Sequence, residues 1–170
     1  MGDFLVAIDL GTNRTATAIT ARYRHTCALL DNNTTKCWGW NNAGELGQGD
    51  TATRGDDAGE MGDSLDAIDL GTNRTATAIT AGRNHTCALL DNNTTKCWGA
   101  GGAGQLGLGD TQNQGFGNRA MGDYLAVLDG IVLVATLSAP AQPAPPDASI
   151  SYTTATVTWA APSTDGGSVV

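Results

Sequence analysis

The feature that most constrains this chain is a fifteen-residue stretch, His-Thr-Cys-Ala-Leu-Leu-Asp-Asn-Asn-Thr-Thr-Lys-Cys-Trp-Gly, written twice without change at 25–39 and 85–99. Each copy reads as a β-hairpin. Thr-Cys-Ala-Leu-Leu is the outgoing arm and Thr-Lys-Cys-Trp the return. Asp-Asn-Asn between them suits a type I turn followed by a left-handed residue, because Asn tolerates positive φ better than other non-glycine residues. A three-residue loop at Asp91, Asn92 and Asn93 sets Leu90 against Thr94 and so fixes the register. Cys87 then stands opposite Cys97, and Cys27 opposite Cys37.

Directly opposed residues of an antiparallel pair lie roughly 4.5–5.5 Å apart at Cα, inside the ~4.4–6.8 Å that a disulfide accepts. Disulfides Cys27–Cys37 and Cys87–Cys97 are therefore expected. The closed loop is short, so the gain should fall below the ~3 kcal/mol of a 15-residue loop. Its main effect would be to staple a hairpin that is marginal alone. Zinc is the alternative use of these residues. His85 and Cys87 share a strand face with Cys97 across from them, which gives three ligands of an open site without an evident fourth.

The hairpin sits inside a longer duplication. Residues 1–60 and 61–120 match at 42 of 60 positions, and a third copy opens at Met121-Gly-Asp-Tyr-Leu-Ala-Val-Leu-Asp-Gly130 before departing. A fixed period of this size means repeat architecture, each unit burying its face against the next. Within a unit, strands are expected near 15–21, 26–30 and 35–40, with a short fourth near 4–9 and 65–69. A glycine-rich loop (43–50 and 103–110) and a variable acidic loop follow. With 23 Gly, 5 Pro and no long apolar helical pattern, the chain reads as all-β. The expected architecture is a partial β-propeller, two full blades plus the start of a third, built of antiparallel strands. Two blades cannot close a ring, so exposed edge strands and an apolar side prone to association are expected.

The residues also carry a family resemblance. Ile79-Thr-Ala-Gly-Arg-Asn-His-Thr-Cys-Ala-Leu-Leu90, then Lys96-Cys-Trp-Gly99 and Gly104-Gln-Leu-Gly-Leu-Gly-Asp110, resembles the regulator of chromosome condensation repeat, with its Gly-x-x-His start, Trp-Gly and Gly-Gln-Leu-Gly-x-Gly. The first unit departs twice, with Arg22 for Gly82 and Glu45 for Gln105. The resemblance covers about residues 1–130. It implies a propeller of typically seven blades, so that the missing blades of a longer chain are themselves partners. The cysteine-bearing version looks like a secreted bacterial branch rather than a nuclear exchange factor. The resemblance thus implies a non-catalytic binding module of a secreted or cell-surface bacterial protein, gripping a protein or glycan with its loops. The alternative is a regulator acting on an enzyme, either exchange-factor-like or a secreted inhibitor.

Five regions follow: propeller repeats at 1–60 and 61–120, the start of a third repeat with a terminal strand at 121–137, a Pro-rich linker at 138–147, and 148–170. The last resembles the opening of a fibronectin type III domain, a β-sandwich truncated well short of the ~100 residues such a fold needs. Poor order is expected there. Met1-Gly-Asp recurs at 61 and 121, so the chain reads as a fragment that starts inside a repeat.

The net charge of −8 without a basic cluster argues against nucleic acid. No run approaches the ~20 apolar residues of a membrane helix, and no signal peptide is present. His25 and His85 lack a serine and acid at catalytic spacing. They read as structural groups bonding neighbouring loops, and no enzyme activity, cofactor or metal is expected.

Several motif matches are weak. Gly99-Ala-Gly-Gly-Ala-Gly104 fits a dinucleotide pattern without a βαβ unit around it. Ile68-Asp-Leu-Gly-Thr-Asn73 resembles the phosphate loop of the actin and heat-shock ATPase family. Arg54-Gly55-Asp56 matches the integrin tripeptide, and Asp50, Asp56, Asp57, Glu60 and Asp63 could gather Ca²⁺. A solvated loop is the plainer account of both. Trp38 and Trp98 are expected between blades. Trp40 has Ala100 as its counterpart in the other copy, so the blade does not require it. Trp40, with Arg22, Tyr23 and Arg83, is the candidate partner contact.

Overall fold

The computed structural model describes residues 6–117 and 121–128. Two three-stranded antiparallel sheets form: β1 (Ala16–Arg22), β2 (His25–Leu30) and β3 (Thr35–Gly39), then β4 (Ala76–Ala81), β5 (His85–Leu90) and β6 (Thr95–Gly99). Among the described residues there is no α-helix. Each sheet is a propeller blade, and its strand ends lie close to those the sequence suggests. The hairpin loops adopt the left-handed turn at Asn33 and Asn93, with φ of 63° and 64°. Leu30 and Leu90 donate their amides to Thr34 and Thr94 carbonyls, both at 2.8 Å. That register sets Cys27 against Cys37 and Cys87 against Cys97. Each pair is joined in a disulfide, with S–S distances of 1.96 and 2.08 Å. With both sulfurs of each pair bonded to each other, the zinc alternative has lost its thiolates.

The fourth strand is not formed as expected. Residues 65–69 and the described part of 4–9 carry no strand. Residues 65–70 instead run beside β3 and make one ladder bond, from the Ile68 amide to the Thr35 carbonyl at 2.8 Å. Leu128 does the same to Thr95 at 2.8 Å. The polar groups near these residues are committed to a lock between repeats. Met-Gly-Asp forms a 3-10 turn at Gly62–Ser64 and again at Gly122–Tyr124. Gly62 and Gly122 donate to Asp9 and Asp69 carbonyls, at 3.1 and 3.0 Å. Both glycines hold positive φ, 67° and 63°, and a Cβ there would lie 2.3 and 2.4 Å from the Asp9 and Asp69 carboxylates. Asp63 and Asp123 accept the amides of Thr12 and Thr72 at 2.8 Å, and the threonine hydroxyls as well. Those bonds hold both carboxyls below the ordinary aspartate range, with Lys36, Lys96 and nearby arginines adding to the effect. Buried Lys36 and Lys96 complete the lock. Lys36 donates to Leu10 and Gly62 carbonyls at 3.1 and 2.8 Å, and Lys96 to Leu70 and Gly122 at 3.0 and 2.7 Å. The opening residues of each repeat therefore finish the preceding blade.

One apolar cluster joins the blades. Cys27, Leu29, Cys37 and Leu46 come from the first repeat, while Ala76, Ala88, Leu90 and Trp98 come from the second. Ile68, Leu70, Met121 and Leu125 seal it from the closing segments. β4 rests on β1 and β2. At the centre the Glu45 carbonyl accepts both Trp98 Nε1 and Thr86 Oγ1, each at 2.9 Å. His25 Nε2 lies 2.9 Å from the same Thr86 hydroxyl. That hydroxyl has one hydrogen, and it goes to Glu45, so His25 is assigned the Nε2–H tautomer and donates. Burial, with the nearby His85, keeps His25 below its usual pKa of 6.5. Burial and Arg22 do the same for His85.

A pH dependence follows. Below about pH 6.5 the unfolded chain takes up histidine protons that the folded chain refuses, so stability falls as pH drops through that point. It should be flat from pH 7 to 8 and decline toward pH 5, where aspartates are still largely ionised. His25→Gln, whose amide can still donate to Thr86, should remove most of the slope. Thermal unfolding followed across this range would show an unchanged slope in the variant if His25 were not its source.

Candidate partner-binding site

Over positions 7–51 the two repeats differ at only eight places, namely 22, 23, 24, 40, 41, 42, 45 and 48. The first three lie at the β1–β2 turn, and 40–42 follow β3. The fold joins these two loops through the Trp40 amide, which donates to the Arg24 carbonyl at 2.9 Å. Their side chains then build a ladder. The Arg24 guanidinium lies 5.2 Å from the ring centres of both Trp40 and Tyr23, and that of Arg83, from the second blade, lies 4.9 Å from the Tyr23 ring centre. The order is Trp40, Arg24, Tyr23, Arg83, alternating aromatic and cation. All four are exposed. Hydrogen bonding from Arg83, then the charges of Arg24 and Arg83, pull the Tyr23 phenol below its ordinary pKa of 10.0.

Two observations set this ladder apart. Tyr23 holds φ at 60°, while the other non-glycine residues with positive φ are asparagines. A bulky side chain there costs of order 1–3 kcal/mol and points to a site held for a purpose. The second observation is charge. Arg14, Arg54 and Arg74 pair with Asp31, Asp50 and Asp91, and both lysines are spent on carbonyls. Among the described residues no carboxylate pairs with Arg22, Arg24 or Arg83. Among the described residues, a chain of net charge −8 thus gathers its unpaired cations at one point.

Of the sequence candidates, Trp40, Tyr23 and Arg83 meet in the ladder. Arg22 stands beside it, close enough to His85 to act on its charge. Arg24, the residue in the middle, was not singled out by sequence. Its signal was present, since Asn84 replaces it in the other copy alongside its neighbours. Gly82, opposite Arg22, has a separate reason. A Cβ there would lie 2.0 Å from the His85 ring, which folds back over it.

The remaining motifs resolve into structure. The acidic residues do not converge. Asp50 holds Arg54 at 2.6 Å, Glu60 accepts the amides of Gly55 and Asp57, and Asp63 holds Thr12. Among the described residues no group of three ligands is placed for a metal. Arg54 of the integrin-like tripeptide is therefore engaged within its own loop. The phosphate-loop look-alike is filled by the chain's own carboxylate, Asp123 on Thr72. The glycine run 99–104 leaves the end of β6 and leads into a turn, not a helix. No helix of the described residues is long and apolar enough to cross a membrane.

Fold and site together define a repeat protein of propeller blades with a cationic-aromatic edge. The pattern described as "Regulator of chromosome condensation (RCC1) repeat" matches residues 17–45 and 76–105, one match falling within each blade. The ultraviolet-B receptor UVR8 of Arabidopsis thaliana is 27% identical over 110 residues, covering 62% of this chain and 22% of the receptor. Among solved structures, Prp20p of Saccharomyces cerevisiae, described with its binding to Gsp1p and histones, superposes with a TM-score of 0.50 at 20% identity. That match covers 66% of this chain and 27% of Prp20p. Yeast RCC1 (Prp20) bound to Kap60 gives the same score and identity, with 26% of that chain covered. The chain spans about a quarter of the length of these relatives.

Proposed function

We propose that the two blades form a non-catalytic binding module that takes a protein partner at the Trp40–Arg24–Tyr23–Arg83 ladder. The observation that carries this is the ladder itself, with its unpaired arginines stacked on a strained tyrosine. Arg, Trp and Tyr are the residues enriched where interface energy concentrates. Exposed guanidinium groups without internal acids suit carboxylates on the partner, in bidentate pairs. The partner surface is therefore acidic. The disulfide-bonded hairpins support a secreted or cell-surface setting, since such bonds persist in oxidising compartments. A bacterial source rests on the cysteine-bearing form of the repeat.

The test is fluorescence anisotropy with a labelled Glu- and Asp-rich peptide, against heparin as a sulfated-glycan probe. The peptide is expected to bind with an affinity that falls with salt. Arg24→Ala with Arg83→Ala should weaken it about thirtyfold, the equivalent of ~2 kcal/mol. Tyr23→Gly should also weaken binding while leaving stability equal or higher, because glycine accepts the positive φ. Preference for heparin, or binding indifferent to these variants, would overturn the reading.

A further inference from the structure

Several groups that join blade 1 to blade 2 have twins in the other repeat that are more exposed or lack the cross-blade bond among the described residues. On the outer side of blade 1, β1 repeats the residues of β4. Ala76 and Ala81 are buried against blade 1, while Ala16 and Ala21 are exposed and Ile19 is 62% exposed. On the outer side of blade 2, β5 repeats β2. Leu29 is 8% exposed and Leu89 is 40%. The polar groups follow suit. His25 meets Thr86, which meets the Glu45 carbonyl, which meets Trp98. Their counterparts His85, Thr26, the Gln105 carbonyl and Trp38 make no such cross-blade bonds among the described residues. Thr20 Oγ1 accepts the Ala81 amide at 3.1 Å, and Thr80 has no matching donor among the described residues.

We propose that the outer face of blade 2 docks on the outer face of blade 1 of a second copy of this chain, repeating the internal interface. The occupant is fixed by continuity with that interface. At every position just named the repeats are identical except 45, and there the acceptor is a backbone carbonyl. The Glu45 side chain uses only an oxygen, accepting the Ala43 amide, as Gln105 does for Ala103. In this contact His85 and Leu89 of blade 2 meet Thr26 and Ile19 of the second copy's blade 1, and that copy's Trp38 Nε1 meets the Gln105 carbonyl. Such a contact is heterologous, so copies add head to tail until the rotation closes or the chain of copies runs on. One adjustment is needed. Residues 126–128 already finish blade 2, where residues 6–8 of the incoming copy would fall. Val6 and Ile8 are 93% and 55% exposed, so this stretch swings clear ahead of Asp9, whose carbonyl Gly62 holds.

Sedimentation velocity on the full chain tests this with two variants, Ile19→Arg and Leu89→Arg, both at exposed positions and each checked for an unchanged unfolding midpoint. The unmodified chain should gain mass with concentration, beyond a dimer. Each variant alone should stay monomeric, because every contact needs one face of each kind. Mixed in equal amounts, the two should form a species of twice the monomer mass and nothing larger, since one good face of each kind remains. A monomeric unmodified chain, association that survives either variant, or a mixture that stays monomeric would overturn the proposal.

Discussion

Trp98→Ala is expected to lower the free energy of unfolding by about 3–5 kcal/mol, the usual cost of truncating a fully buried aromatic. Trp98 is wholly buried in the cluster shared by both blades, and its Nε1–H is one of two donors on the Glu45 carbonyl. The loss is a cavity plus a weakened hub, so Thr86 and His25 lose their fixed neighbour as well. The duplicated sequence supplies an internal control. Trp38 sits in the same pentapeptide on the corresponding strand, yet it is only half-buried, and among the described residues no further blade covers it. Trp38→Ala should cost less than half as much. Urea unfolding of the two variants measures the difference, which is the contribution of the blade-to-blade contact. Equal costs would mean that the indole stabilises its own hairpin and not the junction.

Loss of the disulfides should be the other large effect. Each bridge closes a loop of sequence separation 10, worth a little under ~3 kcal/mol by the chain-entropy account. Opening both, by reductant or by serine at all four cysteines, should remove roughly 5 kcal/mol. Small domains hold only ~5–15 kcal/mol in total, so the reduced chain should lie near its unfolding threshold. The hairpins have little to fall back on. β1 and β3 are the outer members of a sheet of three strands, and the closing segments add a single ladder bond each. Unfolding midpoints should be measured with and without reductant, alongside a thiol titration. Four thiols appearing with no shift in the midpoint would show that packing alone holds the strands.

The sequence was most legible where physics is local. The Asp-Asn-Asn loop defines its own turn through Asn at positive φ, the turn fixes the register, and the register sets the cysteines face to face. It misled at residues 65–69, where a β-rich run suggested a strand. There the Asp9 and Asp69 loops engage the glycine and aspartate of the following repeat 51–53 residues on, a pairing that spacing alone does not reveal. Ile68-Asp-Leu-Gly-Thr likewise looked like a phosphate loop for a physical reason. Its threonine does hold an anion, but the anion is the chain's own Asp123.

The sequence by itself determined the repeat, the hairpins, the opposed cysteines and the all-β class, because each depends on neighbours within about fifteen residues or on a period that can be counted. Only the tertiary structure decided which twin of each pair is buried. Trp38 and Trp98, His25 and His85, and Leu29 and Leu89 lie in the same fifteen-residue stretch written twice, and the neighbouring blade is what buries one of each pair more than the other. It also decided the ladder. Arg83 lies sixty residues from Tyr23, and the two touch because β4 packs against β1 and β2. A cationic site on an acidic chain is a matter of which arginines are left without acids, and that is settled by distance in the fold.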